Sequence, residues 1–143
     1  MDRQRHGRSA IRDSMSGLRL LAVEDQPANV ALLRAVLTRS THPELREADF
    51  SVATTLAEGR ALLAGGGYDV VLLDIRLPDG SGLDLAREFP SRPGRARILV
   101  LTANALPGDE LAARAAGADA FMSKPYEPSA LAAAILDLAG VRL

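Results

Sequence analysis

Polar residues at four positions along the chain, five residues in all, carry the chemistry that this sequence can do. The pair Glu24-Asp25 follows the apolar run LRLLAV (18–23), Asp74 ends YDVVLLD (68–74), Thr102 ends RILVLT, and Lys124 follows AFMS (120–123). Nearly every other position in these runs is apolar. Three carboxylates brought together repel one another, by about 3 kcal/mol per pair at about 5 Å and an effective dielectric of about 20. Such a site needs positive charge. A divalent ion and one ammonium group supply it, and hard oxygen ligands with open positions suit Mg2+, which keeps waters and accepts a phosphate oxygen. The ammonium is conspicuous: of 17 basic residues 16 are Arg, and Lys124 is the single lysine. Lys offers a compact point charge on a thin stem, whereas Arg is a wide planar fork that would crowd a metal.

The elements that must hold these residues follow from periodicity. Short apolar runs at 18–23, 50–53, 68–74, 97–103 and 120–123 read as strands. Between them lie helical patterns: 27–39, with Pro27 at its start and Val30, Leu33 and Leu37 at helical spacing, then 55–65, 82–89, 107–117 and 128–140. Continuous apolar strands are covered on both faces, so five strand–helix units predict an α/β fold, a parallel sheet with helices on each side. Ligands in such sheets sit beyond the carboxyl ends of the strands, where the four polar positions fall.

Composition bounds the alternatives. The 143 residues suit one domain, with 48% hydrophobic and 24% charged residues. A net charge of −1 argues against direct nucleic-acid binding. The chain has no Cys and two distant His, which excludes thiolate metal sites and disfavours a zinc site. Residues 1–17, MDRQRHGRSAIRDSMSG, lack apolar period and read as a disordered basic tail or as sequence upstream of a start at Met15; residues 18–143 form the domain. No segment is long and apolar enough to span a membrane, so no membrane insertion and a cytoplasmic location are expected.

The motif residues resemble those of response-regulator receiver domains, the phosphoacceptor half of two-component signalling. The resemblance rests on Glu24-Asp25 in VEDQPAN, Asp74 in VVLLDIRLPDGSGLDL, Thr102-Ala103 in VLTANA and Lys124-Pro125 in FMSKPY, and runs from about Leu18 to Ala139. It implies a flavodoxin-like (β/α)5 fold, a doubly wound five-stranded parallel sheet in the order 2-1-3-4-5. It implies Asp74 as phosphoacceptor, taking a phosphoryl group from a phosphohistidine. Mg2+ would be held by Glu24, Asp25 (the likelier direct ligand of the pair), Asp74 and the backbone carbonyl of Arg76. Thr102 and Lys124 would bind the phosphoryl group, with Lys124 pairing first to Asp74. The Lys124-Pro125 bond is cis in this family and would aim Lys124 at the site. Thr102 and Phe121 would form a packing switch, while Arg76 and Asn104, each two residues past a key position, would tune the acyl-phosphate lifetime.

The partners implied are a histidine kinase or histidine phosphotransfer protein, docking near Pro27, Ala28, Asn29 and Leu32. A downstream protein would bind the face made by the helix over 107–117, the strand over 120–123 and the helix over 128–140, and a homodimer is left open. The chain would be a stand-alone receiver or one cut from a larger protein. It would be no enzyme, only a phosphoacceptor that assists its own phosphorylation and dephosphorylation. Two other classes fit the residues less well. A haloacid-dehalogenase-type phosphatase needs a second Asp where Arg76 stands. An interaction module that works without phosphorylation would not need the acids and the Lys, all of which are present. Two features fit no common pattern: the long connection TRSTHPELREAD (38–49), which puts the register of the second strand in doubt, and the glycines of 65–67, which precede a strand and so form a loop rather than a nucleotide fingerprint.

Overall fold

The computed structural model describes residues 17–89, 95–103 and 105–141. In chain order the elements are β1 (Arg19–Val23), α1 (Pro27–Thr38), α2 (Pro43–Arg46), β2 (Asp49–Ala53), α3 (Leu56–Gly65), β3 (Val70–Leu73), β4 (Arg76–Leu77), β5 (Gly80–Ser81), α4 (Leu83–Glu88), β6 (Arg97–Thr102), α5 (Asp109–Ala115), β7 (Ala120–Ser123) and α6 (Pro128–Ala139). The main sheet runs β2-β1-β3-β6-β7, and every pairing in it is parallel. Counted among its own five strands, this is the expected order 2-1-3-4-5.

Period-two alternation with both faces apolar divides the core into two layers. Leu21, Val23, Val71, Leu73, Ile98 and Val100 face α3, α4 and α5, where Leu56, Leu63, Leu83, Leu85, Ala86, Ala113 and Ala116 meet them. Their neighbours Leu20, Ala22, Val70, Leu72, Leu99 and Leu101 face α1 and α6, against Leu33, Val36, Leu37, Leu131, Ile135 and Leu136. Gly59 allows α3 to lie close: a Cβ there would stand 2.9 Å from Leu85 Cδ1 and 3.2 Å from Val23 Cγ2. Leu18 is already buried, in the second layer.

Two elements go beyond the sequence-based expectation. The connection 38–49 contains a helical turn, α2, opened by Pro43. It inserts Leu45 into the second layer at 1% exposure, and burying a leucine contributes about 2 kcal/mol. The extra length is thereby absorbed, and β2 pairs with β1 in register from Arg19 opposite Asp49. The segment after Asp74 forms a small antiparallel hairpin, β4–β5, with Arg76 opposite Ser81. Residues 1–16, most of the expected tail, lie outside the described residues, as does Asn104. Among the described residues no helix is long and apolar enough to cross a membrane.

Candidate functional site

Parallel pairing puts the carboxyl ends of β1, β3, β6 and β7 at one edge. The ladder extends one residue beyond three of these strands and holds the site backbone. Glu24 N–H donates to the Ala53 carbonyl at 2.9 Å, Asp74 N–H to Val23 at 3.1 Å, and Lys124 N–H to Thr102 at 2.8 Å. Gly82 closes the loop after Asp74. Its N–H donates to the Ile75 carbonyl at 2.6 Å, and a Cβ at this position would overlap the Asp74 carbonyl.

Glu24, Asp25 and Asp74 each bring a carboxylate oxygen within 4.8 Å of the others. Lys124 lies among them, but its first partner is Glu24: Nζ donates to Oε1 at 2.6 Å and stands 4.0 Å from Asp74 Oδ2. The expected ion pair with Asp74 is present at 4.0 Å, but the shorter bond goes to Glu24, whose additional methylene, relative to Asp, lets its carboxylate reach across. The other Glu24 oxygen accepts from the Gln26 amide at 3.0 Å, so both are engaged. Asp25 accepts from Gln26 Nε2 at 3.3 Å and is partly exposed. Oxygens at this spacing, hard and anionic, fit a divalent cation such as Mg2+. Asp25 and Asp74 are the better placed to ligate it directly, because Glu24 is committed to Lys124 and the Gln26 amide.

Burial pushes the Asp74 carboxyl above its ordinary range; Glu24 pushes the same way, while Lys124 and the backbone amides of Arg76 and Ile75 oppose. Tyr126, packed against the second core layer, has its phenol raised by burial and then by the charge of Glu24.

Thr102 is buried at the end of β6, with its hydroxyl donating to the Ala103 carbonyl at 3.2 Å. Arg76 leans across this threonine. One guanidinium nitrogen donates to Thr102 Oγ1 at 3.3 Å, and the other to Asp109 Oδ2 at 3.1 Å. That same Asp109 oxygen accepts from the Leu106 amide at 2.7 Å. The Asp109 carboxyl is held below its ordinary range, first by the Leu106 amide and then by Arg76. Phe121 on β7 is half-buried against the first core layer, opposite Val100. The Lys124–Pro125 peptide is cis.

Sequence reasoning missed Asp109 and Asp79. Asp79, in the turn between β4 and β5, accepts from the Leu56 and Ala57 amides at 2.8 and 3.1 Å and so caps α3 from a distance. Its carboxyl is lowered, chiefly by the Leu56 amide. The local signal available for Asp109 was an acid directly after Pro107-Gly108, at a helix start; its partner Arg76 is set only by the fold.

Comparison with known proteins gives the same family from two directions. The profile of the response regulator receiver domain matches residues 20–136. The transcriptional regulatory protein TcrA of Mycobacterium tuberculosis is 35% identical over 115 residues, covering 78% of this chain and 42% of TcrA. The aerobic respiration control sensor protein ArcB of Escherichia coli is 38% identical over 124 residues, covering 85% of this chain and 15% of ArcB. The chain therefore spans less than half of either relative. Among solved structures, the receiver domain of sensor histidine kinase PA1611 from Pseudomonas aeruginosa, with a magnesium ion coordinated in its active site cleft, superposes with a TM-score of 0.74 at 28% identity, covering 87% of this chain and 99% of that one. A CheY-like receiver domain protein from Methanospirillum hungatei gives a TM-score of 0.73 at 29% identity, covering 87% and 95%. With the profile spanning most of the folded sequence and these relatives beside it, the chain belongs to the response regulator receiver domain family.

Proposed function

We propose that this receiver accepts a phosphoryl group from a phosphohistidine onto Asp74. The observation that carries this reading is the gathering of three carboxylates within 4.8 Å of one another at one sheet edge, two of them paired with Lys124. In the transfer, an Asp74 oxygen forms a bond to phosphorus as the P–N bond to histidine breaks, and the imidazole leaves with that electron pair. Asp25, Asp74 and the backbone carbonyl of Arg76 would hold Mg2+, with Glu24 orienting Lys124. When bound, Mg2+ neutralises charge on the phosphoryl oxygens, which is most of what such a transfer requires. Lys124 offers its ammonium to the phosphoryl group, and the Thr102 hydroxyl leaves the Ala103 carbonyl to donate to another oxygen. The space left by Thr102 admits Phe121, which repacks the face of α5, β7 and α6 for a downstream protein. The chain is a phosphoacceptor that assists its own phosphorylation and dephosphorylation rather than an enzyme turning over a separate substrate.

The donor is a histidine kinase or a histidine phosphotransfer protein. The start of α1 borders the acids, and Leu32 on it is 48% exposed, an apolar side chain suited to an incoming helix. The magnesium in the PA1611 receiver and the description of ArcB as a sensor protein support the cofactor and the donor class. The test is labelling with phosphorylated histidine donor or acetyl phosphate. Wild type labels in Mg2+, chelation of the metal abolishes labelling, and Asp74→Asn does not label. Failure of wild type to take label from either donor, with the fold intact, would favour an interaction module that works without phosphorylation.

A further inference from the structure

Arg76 stands two residues past the proposed acceptor, and its side chain is engaged by Thr102 Oγ1 at 3.3 Å and Asp109 Oδ2 at 3.1 Å. Asp109 is only 17% exposed in this pair, whereas Arg76 remains 47% exposed. The oxygen that holds Arg76 also receives the Leu106 amide at 2.7 Å, which fixes the carboxylate at the first residue of α5. Thr102, Arg76 and the start of α5 are thus tied by one chain of hydrogen bonds. A phosphoryl group on Asp74 would place additional negative charge beside the backbone of Arg76, and a guanidinium with two parallel donors matches phosphoryl oxygens at least as well as one carboxylate oxygen.

We propose that Asp109 is a positioning residue that competes with the phosphoryl group for Arg76. In the unphosphorylated chain it draws Arg76, and with it the Thr102 hydroxyl, away from Asp74. On phosphorylation Arg76 transfers to the phosphoryl oxygens, which releases Thr102 for its own move and leaves Asp109 without its cation at the start of α5. The arrival of charge at Asp74 is then felt on the face that contains α5 by loss of an ion pair, in addition to the repacking of Phe121. This inference rests on the phosphoacceptor reading of Asp74.

The test is a double-mutant cycle with beryllofluoride and Mg2+ as the phosphoryl mimic, with affinity followed by backbone NMR. Asp109→Asn keeps an oxygen for the Leu106 amide and removes the charge that holds Arg76. Partly exposed ion pairs of this kind are weak, so the variant is expected to bind beryllofluoride about two- to five-fold more tightly than wild type. Its unliganded Thr102 resonances are expected to move toward the beryllofluoride-bound positions. In an Arg76→Gln background the same Asp109→Asn change is expected to have no effect on affinity, because there is no guanidinium left to release. Equal effects in both backgrounds would mean that Asp109 merely caps α5, and an unchanged affinity in the single variant would mean that it does not compete; either overturns the inference. Wild type that binds no beryllofluoride would instead remove the phosphoacceptor reading, and this inference with it.

Discussion

Replacing Asp74 with Asn removes a charge that the metal-free site holds at a cost, so the loss of the proposed acceptor should make the fold more stable. The Asp74 side chain is 12% exposed, with Lys124 Nζ 4.0 Å away. Oxygens of Glu24 and Asp25 lie within 4.8 Å. At an effective dielectric of about 20, each carboxylate repels Asp74 by about 3 kcal/mol and the lysine returns about 4. The net repulsion of about 2 kcal/mol adds to the desolvation of a buried carboxylate. Lys124 keeps its shorter bond to Glu24 in the variant, so no buried charge is orphaned. Allowing for screening at the partly exposed Asp25, Asp74→Asn should stabilise by about 1–2 kcal/mol at pH 7, or about 3–8 °C in Tm for a domain of this size.

The sign with pH follows from the raised carboxyl of Asp74. The folded chain binds this proton more tightly than the unfolded chain. Its contribution is therefore fully present below the ordinary carboxylate range and is lost as pH rises through the raised value. The gap between variant and wild type should accordingly vanish in acid and open toward neutrality. Mg2+ should close it again: with millimolar affinity, about 10 mM metal stabilises wild type by about 1.4 kcal/mol and the variant by less. Thermal unfolding of both proteins, across pH and with chelator or Mg2+, measures all three effects. A destabilised Asp74→Asn in chelator at pH 7 would refute the claim that the acids repel without a cation.

Three further outcomes are expected. Lys124→Arg keeps the charge but replaces a point donor, bonded to Glu24 at 2.6 Å, with a fork that does not fit between Glu24 and Asp74; it should lose the beryllofluoride-induced NMR shifts on the α5–β7–α6 face, and retention of those shifts would disprove a need for lysine. Leu32→Glu should slow transfer from a phosphohistidine protein at least ten-fold while leaving acetyl phosphate labelling unchanged, an estimate that takes the loss of one apolar anchor as about 1.4 kcal/mol or more; equal slowing with both donors would locate the damage in the site itself. Asp79→Ala should lower the Tm and speed hydrogen exchange at the Leu56 and Ala57 amides that it caps; unchanged exchange would mean that water replaces the cap without loss.

The strand ends were legible because their signal is local. Val70–Leu73 is apolar at every position and then breaks at Asp74, so the run itself announces a strand covered on both faces and ended by an acid. With parallel pairing this is enough to bring Glu24, Asp25, Asp74, Thr102 and Lys124 to one edge. The hairpin β4–β5 was hidden by its two-residue strands, too short to show a period. Helix α2 was hidden because a single turn, PELR, carries one buried residue, Leu45, and a helical period needs several.

What the sequence alone determined is the set of groups at the site: apolar periodicity is a property of neighbouring residues, and it marks the strands whose ends deliver those groups. Which group holds which was decided only by the tertiary structure. Lys124 makes its short bond to Glu24, a hundred residues earlier, and the longer one to Asp74, and that ranking turns on the reach of one methylene across the sheet edge. Arg76 turns toward Thr102 and Asp109, and Asp79 toward the start of α3, because folding brings these distant donors and acceptors within about 3 Å of each other. A hydrogen bond depends on distances and angles of tenths of an ångström and tens of degrees, which residue spacing along a chain does not encode.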